Sequence, residues 1–237
     1  FSEDTGEMLS YKANGVQVLN KEPVSHKGFL LNLSRAYVDN DRWIIEDWEK
    51  HNLIDPKIIL EDMSAEVKSG VASVSQYITV HGKEDILFNA NILYIIGANG
   101  VVDIEVAIAP DKESKEQFYD LAALGLTFEA DKKFNEIEYF GRGEKENYND
   151  FNAHAPIGLY TAKVADEHEP YIRPQDNSNH SDVSYLKLKN EKGEELTKLE
   201  TVRVAAPVYI PSIMVGVSTI ACIFGANVLN KRKQASL

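Results

Sequence analysis

Carboxylates are the most abundant side chains in this chain that could carry chemistry. Of its 237 residues, 37 are Asp or Glu, and a pair of carboxyl groups is what acid–base hydrolysis of a glycosidic bond requires. The candidates are Glu61-Asp62, Glu144, Glu146 and Glu194-Glu195. Each lies in a charged, turn-like stretch without the apolar surroundings that raise a carboxyl pKa. We therefore expect solvated surface groups and predict no catalytic residue in this chain.

Histidine and cysteine do not form a recognisable metal or nucleophile motif. The six histidines, which lack metal-ligand spacing, are His26, His51, His81, His154, His168 and His180. A cluster of the last three in the folded chain stays open as an alternative. Cys222 is the single cysteine, which excludes an internal disulfide and a site of several thiolates. The sequence thus predicts no metal site and no cofactor of its own.

Two loops combine an aromatic side chain with amides and carboxylates. One contains Glu146, Asn147 and Tyr148, and the other contains Tyr171 and Arg173 between two prolines. Rigid loops of this composition suit contact with a sugar or with a neighbouring domain. Corner turns held by Asx-type hydrogen bonds are the simpler interpretation, and residue chemistry by itself favours it.

The elements that must position these loops are predicted to be strands. Period-two or β-rich apolar patterns occur at Val71–Val80, Ile92–Ile96, Val101–Ala109, Leu124–Glu129, Glu136–Phe140 and Val183–Leu188. Asn99-Gly100 indicates a hairpin, residues 190–193 indicate a turn, and one short helix is predicted over Trp43–Asn52. Many short strands with intervening turns favour an all-β antiparallel sandwich.

The charge distribution bears on the partners of the chain. The formal net charge is −12, which repels phosphate backbones and argues against nucleic-acid binding. After Arg203, no charged residue occurs from Val204 to Asn230. A helix over the 20 residues 211–230 would be about 30 Å long, which matches a bilayer core. We therefore predict a transmembrane helix within 205–230 and a basic tail at 231–237, with a buried helix or strand as the alternative.

Four motifs, in order along the chain, resemble those of one known family. They are FSEDTG at 1–6, RAYVDND at 35–41, YFGRGEKENYND at 139–150 and PYIRPQDNSNHSDVSYL at 170–186. The family patterns are Phe-Ser-x-x-Thr-Gly, Arg-Ala-Pro-x-Asp-Asn-Asp, Gly-x-Gly-Pro-x-Glu-Asn-Tyr-x-Asp-Arg and Pro-Tyr-x-x-Pro-Gln-Glu-Asn-Gly. They belong to the C-terminal small-chain domain, the fifth domain, of glycoside hydrolase family 2 β-galactosidases. The resemblance covers residues 1–196.

The resemblance implies a fold and a role. The fold is a large antiparallel supersandwich of the galactose-mutarotase-like type over residues 1–200, expected to be truncated before its last third. The role is that of a non-catalytic accessory domain, which completes the active-site rim and the assembly of an enzyme that cleaves terminal β-D-galactosides such as lactose with retention. The catalytic glutamates lie on a TIM-barrel domain or large chain that this chain lacks, so whether it counts as an enzyme stays open.

The resemblance also implies a cellular location and metal ions. Mg and Na belong to the complete enzyme, and the family domain is cytoplasmic, with membrane association as the alternative if the segment 211–230 is genuine. That segment is not expected from the family. Two further interpretations therefore stay open, namely a membrane-anchored sandwich that binds carbohydrate or protein without enzymatic activity, and a non-functional truncated chimera.

The family also supplies candidate rim residues. The loop that follows Asp-Asn-Asp is mobile in the family and lies beside the substrate pocket. Carried over, it begins at Arg42 and is anchored by Asp39, Asn40 and Asp41. With the two polar loops, the substrate-rim or structural candidates are Asp39, Asn40, Asp41, Arg42, Glu146, Asn147, Tyr148, Tyr171 and Arg173.

Several residues depart from the family pattern. Tyr37, Glu144 and Asn149 replace motif prolines, and Phe151 replaces an arginine, while Ser178 and His180 stand where the family usually has glycine and arginine. Losing prolines loosens turns, and losing arginines removes bidentate partners for carboxylates. We expect these changes to affect contacts between domains more than the fold.

Overall fold

The computed structural model describes residues 1–13, 15–21, 28–115, 120–173 and 175–190, together with the backbone of 203–205. The strands in these ranges are β1 Lys12–Ala13, β2 Val16–Gln17, β3 Leu30–Asn32, β4 Lys57–Lys68, β5 Val71–His81, β6 Ile86–Ile96, β7 Val102–Pro110, β8 Gly125–Thr127, β9 Phe134–Arg142, β10 Ile157–Lys163, β11 Tyr185–Asn190 and β12 Arg203–Ala205. The helices are α1 Ile45–Lys50 and two 3-10 turns, Asp39–Trp43 and Val164–Glu167. Strands thus dominate the described chain, and the all-β prediction is confirmed.

The largest sheet has the order β12-β7-β6-β5-β4. Its strands β4 to β7 form an antiparallel meander, while β12 pairs in parallel with β7. The period-two pattern of β7 places Val102, Ile104 and Val106 in the core, as expected for a half-buried strand. The turn between β4 and β5 uses Ser69 and Gly70, both with positive φ (51° and 81°), as a tight hairpin turn requires.

The inner face of this sheet packs against the N-terminal third of the chain. The core cluster combines the sheet residues with Met8, Leu19, Phe29, Leu31, Leu33, Ile44, Trp48 and Leu53. Tyr94 is fully buried, and its hydroxyl donates to the Phe29 carbonyl at 3.0 Å. Gly6 has φ of 72°, and an added Cβ would lie 3.1 Å from the Gln76 amide. The positive φ favours glycine at this position of the first motif, and the close Gln76 amide adds to the preference.

The second sheet, β10-β9-β11, is fully antiparallel. β9 is its central strand and buries Ile137 and Tyr139 on one face. Two of its strands correspond to predicted strands, whereas β10 and, in the larger sheet, β4 were not predicted. β4 is an edge strand exposed over much of its length, with a register shift between Leu60 and Asp62 that breaks the alternation.

The predicted helix over Trp43–Asn52 is only partly correct. The chain forms a 3-10 turn at Asp39–Trp43 and then α1 at Ile45–Lys50. Trp48 is buried and its indole N–H donates to the Asp120 carbonyl at 2.9 Å. Trp43, in contrast, is 76% exposed and lies outside α1. The burial of Trp48 fixes the helix face, and Trp43 points away from it.

The C-terminal predictions fall mostly outside the described residues. This holds for the transmembrane helix at 211–230, the basic tail at 231–237 and residues 191–193 of the predicted turn, whereas Asn190 ends β11. β12, which lies after the predicted domain boundary at residue 200, pairs with β7. No helix among the described residues combines the length and the hydropathy needed to cross a bilayer.

Candidate functional site

Three loops that are distant in sequence meet at one place. The Asn40 side-chain amide donates to Asp150 Oδ2 at 3.5 Å, and the Arg173 guanidinium lies 3.8 Å from Asp39 Oδ1. These contacts join residues 35–43, 142–151 and 171–182, which we call the loop cluster. Three of the four sequence motifs contribute to it. The cluster therefore brings the sequence-derived candidates into one neighbourhood.

A buried ion pair anchors the first loop. Both Arg35 terminal nitrogens donate to Asp41, at 2.7 and 2.9 Å, and Asp41 Oδ2 also accepts from the Val38 N–H at 2.8 Å. Asp41 is only 7% exposed. Burial opposes the charge of Arg35, but the hydrogen bond and charge of Asp41 outweigh it and raise the Arg35 pKa above its ordinary value. These contacts fix Asp41 within the loop, so its carboxylate is not free to bind a ligand.

Tyr148 and Asp176 extend this polar network. The Tyr148 hydroxyl donates to the Asp176 carbonyl at 2.9 Å. Burial, followed by the negative charges of Glu146 and Asp176, raises the Tyr148 pKa well above its ordinary value. Burial likewise raises the Asp176 pKa, against the attraction of Arg35. Arg35 therefore faces two carboxylates and one neutral phenol across the boundary between the loops.

Asn147 joins the second loop to the third through hydrogen bonds. It is fully buried, its amide nitrogen donates to the carbonyls of Arg142 and Lys145, and its amide oxygen accepts from the Ser181 N–H at 2.9 Å. Its backbone N–H also donates to the Asn179 carbonyl at 2.8 Å. These three side-chain bonds leave the amide little capacity for a ligand. Asn147 is a structural candidate rather than a contact residue.

Glu146 and Ser178 also connect the second loop to the third. His180 of the third loop has its own partners. Glu146 Oε2 accepts from the Ser178 N–H at 3.0 Å. Ser178 has φ of 62°, a left-handed conformation that suits the glycine usual in the family. His180 Nε2 lies 2.6 Å from Glu167 Oε2, and its ring packs on Tyr139. His180 thus has a carboxylate partner in this chain, so the departures from the motif are absorbed locally.

Two other departures, Tyr37 and Phe151, also have local contacts. Tyr37 stacks on Trp48, with ring centroids 6.0 Å apart and planes at 21°. Phe151 packs against His154, with centroids 4.6 Å apart, although it is 63% exposed. The expected effect on contacts between domains stays a prediction.

The outer layer of the loop cluster is exposed. The side chains of Asp39, Arg42 and Arg173 are 67%, 73% and 82% exposed, and their mutual ion pairs at 3.6 and 3.8 Å stabilise the fold little. Ile172 is fully exposed and Tyr171 is 41% exposed. The sequence-derived candidates do not include the exposed Trp43, Phe151 and Ile172, and Phe151 was noted only as the replacement of a motif arginine. For Trp43 and Ile172, the signal in the sequence is a large apolar residue next to a polar motif.

The described residues of and around the loop cluster offer hydrogen-bonding groups and aromatic side chains. Within those residues, no group of three His, Cys, Asp or Glu side chains is placed to hold a metal ion. His154 Nε2 lies 3.1 Å from the Glu146 carbonyl oxygen, while His180 pairs with Glu167. A groove of about 240 Å³ beside the loop cluster is lined by Gly143, Glu144, Lys145, His154, Pro156 and Tyr160. The arrangement offers hydrogen bonds and aromatic surface.

Comparison with known proteins identifies relatives. The family model described as "Beta galactosidase small chain" matches residues 1–234. The chain is 31% identical to a β-galactosidase of Actinobacillus pleuropneumoniae over 67% of its length and 16% of the relative. It is 26% identical to a β-galactosidase of Priestia megaterium over 89% of its length and 20% of the relative. It is 29% identical to one of Lactobacillus delbrueckii subsp. bulgaricus over 81% of its length and 18% of the relative.

These matches show how much of each relative corresponds to this chain. The chain spans a fifth or less of the length of these curated relatives. The family match also runs through residues 211–230, so it does not support the interpretation of that segment as unrelated to the family. The resemblance inferred from the four motifs is confirmed at the family level. The chain belongs to the β-galactosidase small-chain family.

Proposed function

We propose that this chain is the non-catalytic accessory domain of a β-galactosidase, which hydrolyses terminal β-D-galactosides such as lactose with retention. The observation that carries the proposal is the loop cluster, because three family motifs converge there. Its inner layer, built on Arg35, Asp41 and Asn147, is fully bonded. Its outer layer presents Arg42, Trp43 and Arg173 to a partner. The catalytic acid and nucleophile are supplied by a TIM-barrel domain or large chain outside this chain.

The role of the cluster in the reaction is positioning. A rim that carries arginine, tryptophan and amide groups orients a polar substrate and excludes water from the reacting bond. Asp39 and Asn40 hold the start of the rim loop against Arg173 and Asp150. Glu146, Tyr148 and Tyr171 support the neighbouring wall. No proton transfer is assigned to any residue of this chain.

The family resemblance supports further details of the proposal. The described sheets are those of a larger supersandwich of the galactose-mutarotase-like type. Mg and Na belong to the complete enzyme, and no step is assigned to either ion here. The complete enzyme acts in the cytoplasm.

Complementation tests the proposal. The chain is co-expressed with the large catalytic chain of the same β-galactosidase, and hydrolysis of a nitrophenyl galactoside is measured. We expect activity only when both chains are present. An Arg173→Ala variant, which removes an exposed rim charge, should raise KM or lower kcat while the two chains still associate. A large chain that is fully active without this chain, or inactive with it, contradicts the proposal.

Membrane anchoring is the alternative with some support in the sequence. The uncharged run from Val204 to Asn230 before Lys231 favours it by composition. By the positive-inside rule the tail would stay in the cytoplasm and the sandwich would face outward. Carbonate extraction tests it, because recovery of the chain in the soluble fraction contradicts anchoring.

A further inference from the structure

One end of the three-stranded sheet presents a row of exposed apolar side chains. Phe140 of the central strand lies opposite Leu159 of β10 and opposite Tyr185 of β11, so the three side chains share one face. Leu159 is 61% exposed, Phe140 40% and Tyr185 37%, and Ile157, on the same face, is 54% exposed. We call these four side chains the sheet-end patch.

The sheet-end patch is held in place by its neighbours on the same face. The rings of Phe140 and Tyr185 stack, with centroids 6.5 Å apart and planes at 18°. Lys187 Nζ lies 5.7 Å from the centre of the Tyr185 ring. Glu138 fixes both lysines of β11, at 3.0 Å from Lys187 and 2.7 Å from Lys189. Because the Phe140 and Tyr185 rings already have partners within the chain, docking on them costs less conformational entropy than docking on side chains without such contacts.

The patch occupies only one end of its face. At the opposite end, the same face carries Glu136, which lies opposite Lys163 and Lys189. The apolar end is the one at which β9 finishes at Arg142 and the chain enters the second loop of the loop cluster. The patch is therefore continuous with the loop cluster. In the proposed function, the loop cluster faces the catalytic part of the enzyme.

We propose that the sheet-end patch is a docking surface for the catalytic part of the β-galactosidase, an inference that rests on the proposed function. The chain spans 16% and 20% of two β-galactosidases that it matches, so most of such an enzyme lies outside it and supplies the partner. An aromatic and aliphatic centre bordered by ion pairs is the usual composition of an interface core and its rim. A second copy of this chain is the competing occupant.

The test measures binding between the full chain and the large catalytic chain. The variants are Leu159→Lys and Ile157→Lys, which place a charge in the patch at exposed positions where folding tolerates it. Val67→Lys is the matched control, because Val67 is 74% exposed at the far edge of the other sheet. Far-UV circular dichroism and thermal melting verify that all three variants fold. Isothermal titration gives Kd, and sedimentation velocity gives the mass of each chain alone and of the complex.

We expect each patch variant to weaken binding at least about tenfold, as loss of a central interface contact does, and the control to bind as the wild type does. Wild-type affinity in both patch variants overturns the docking surface while leaving the proposed function intact. A wild-type chain that dimerises alone, with Leu159→Lys abolishing the dimer but not binding to the catalytic chain, identifies a second copy as the occupant and also overturns it. Failure of the wild-type chain to bind the catalytic chain overturns the proposed function and the docking surface together.

Discussion

The two larger sheets of the described chain place their apolar side chains in opposite ways. The five-stranded sheet turns Ile104, Val106 and Tyr94 inward against the N-terminal third, and its outer face carries polar residues such as Asn89, whose amide donates to Asp111. The three-stranded sheet buries Tyr139 on one face and leaves Phe140 and its neighbours exposed on the other. Both sheets follow the same alternation, so the difference lies in what covers each face. Among the described residues, most of the apolar face of the larger sheet is covered, with Val67 at its β4 edge 74% exposed, whereas the face that carries Phe140 is left open.

A similar contrast exists inside the loop cluster. Asp41 and Asn147 are buried and hydrogen-bonded on all sides, whereas Asp39, Arg42 and Arg173 form long, exposed ion pairs. Residues of the same chemical type therefore have different roles at short sequence distance. The inner layer should determine stability, and the outer layer should determine contact. Matched substitutions separate these two roles.

The largest expected effect on the free energy of unfolding comes from a comparison of one position in each sheet. Ile104→Ala removes a side chain with no exposed surface and should lower the free energy of unfolding by about 4 kcal/mol through lost burial and a residual cavity. Leu159→Ala, at an exposed position, should change it by less than about 0.5 kcal/mol. Urea unfolding followed by tryptophan fluorescence measures both. Equal losses would show that the sheet-end patch is covered within the chain.

The next effect compares two aspartates of one motif. Asp41→Ala leaves Arg35 partly buried without its bidentate partner and should destabilise the fold by about 3 kcal/mol. Asp39→Ala removes only exposed pairs with Arg42 and Arg173 and should cost less than about 1 kcal/mol. Thermal melting of both variants verifies the order. A reversal would contradict the division into an inner and an outer layer.

A smaller effect compares two asparagines of the third motif. Asn147→Ala removes the acceptor of the Ser181 N–H and a donor to the carbonyls of Arg142 and Lys145, and should cost about 2 kcal/mol. Asn149, which is exposed, should tolerate alanine within about 0.5 kcal/mol. Hydrogen exchange of the Ser181 amide should accelerate only in the first variant. If exchange of the Ser181 amide is unchanged in Asn147→Ala, Asn147 does not hold the two loops together.

The smallest effect depends on pH. Burial raises the folded-state pKa of Asp176 above its ordinary 3.8, so the folded chain binds more protons than the unfolded chain just above that pH. Stability therefore falls as pH rises through this window. Asp176→Asn should remove that contribution, so the variant should gain stability relative to wild type between pH 4 and pH 7. Urea unfolding at several pH values measures this difference, and a gain that is independent of pH would contradict it.

Local patterns predicted part of this molecule well. Val101–Ala109 has apolar residues at every second position from Val102 and matches β7 closely, because one buried face selects apolar residues with that period. The four motifs likewise identified the family, because their order and spacing are specific. β4 was missed, since an edge strand that is exposed over much of its length and carries a register shift lacks that alternation. β10 was missed because its apolar residues at Ile157 and Leu159 are exposed, next to Gly158.

The sequence by itself determined the β class of the chain, its family and the three loops that hold the candidate residues. Only the tertiary structure decided which candidates are buried anchors and which are exposed contacts. The reason is the range of the contacts, since Asn40 bonds Asp150 across 110 positions and Asn147 bonds Ser181 across 34. Residue type and local spacing carry no information about such pairings. They arise when the sheets fix the ends of the loops in space.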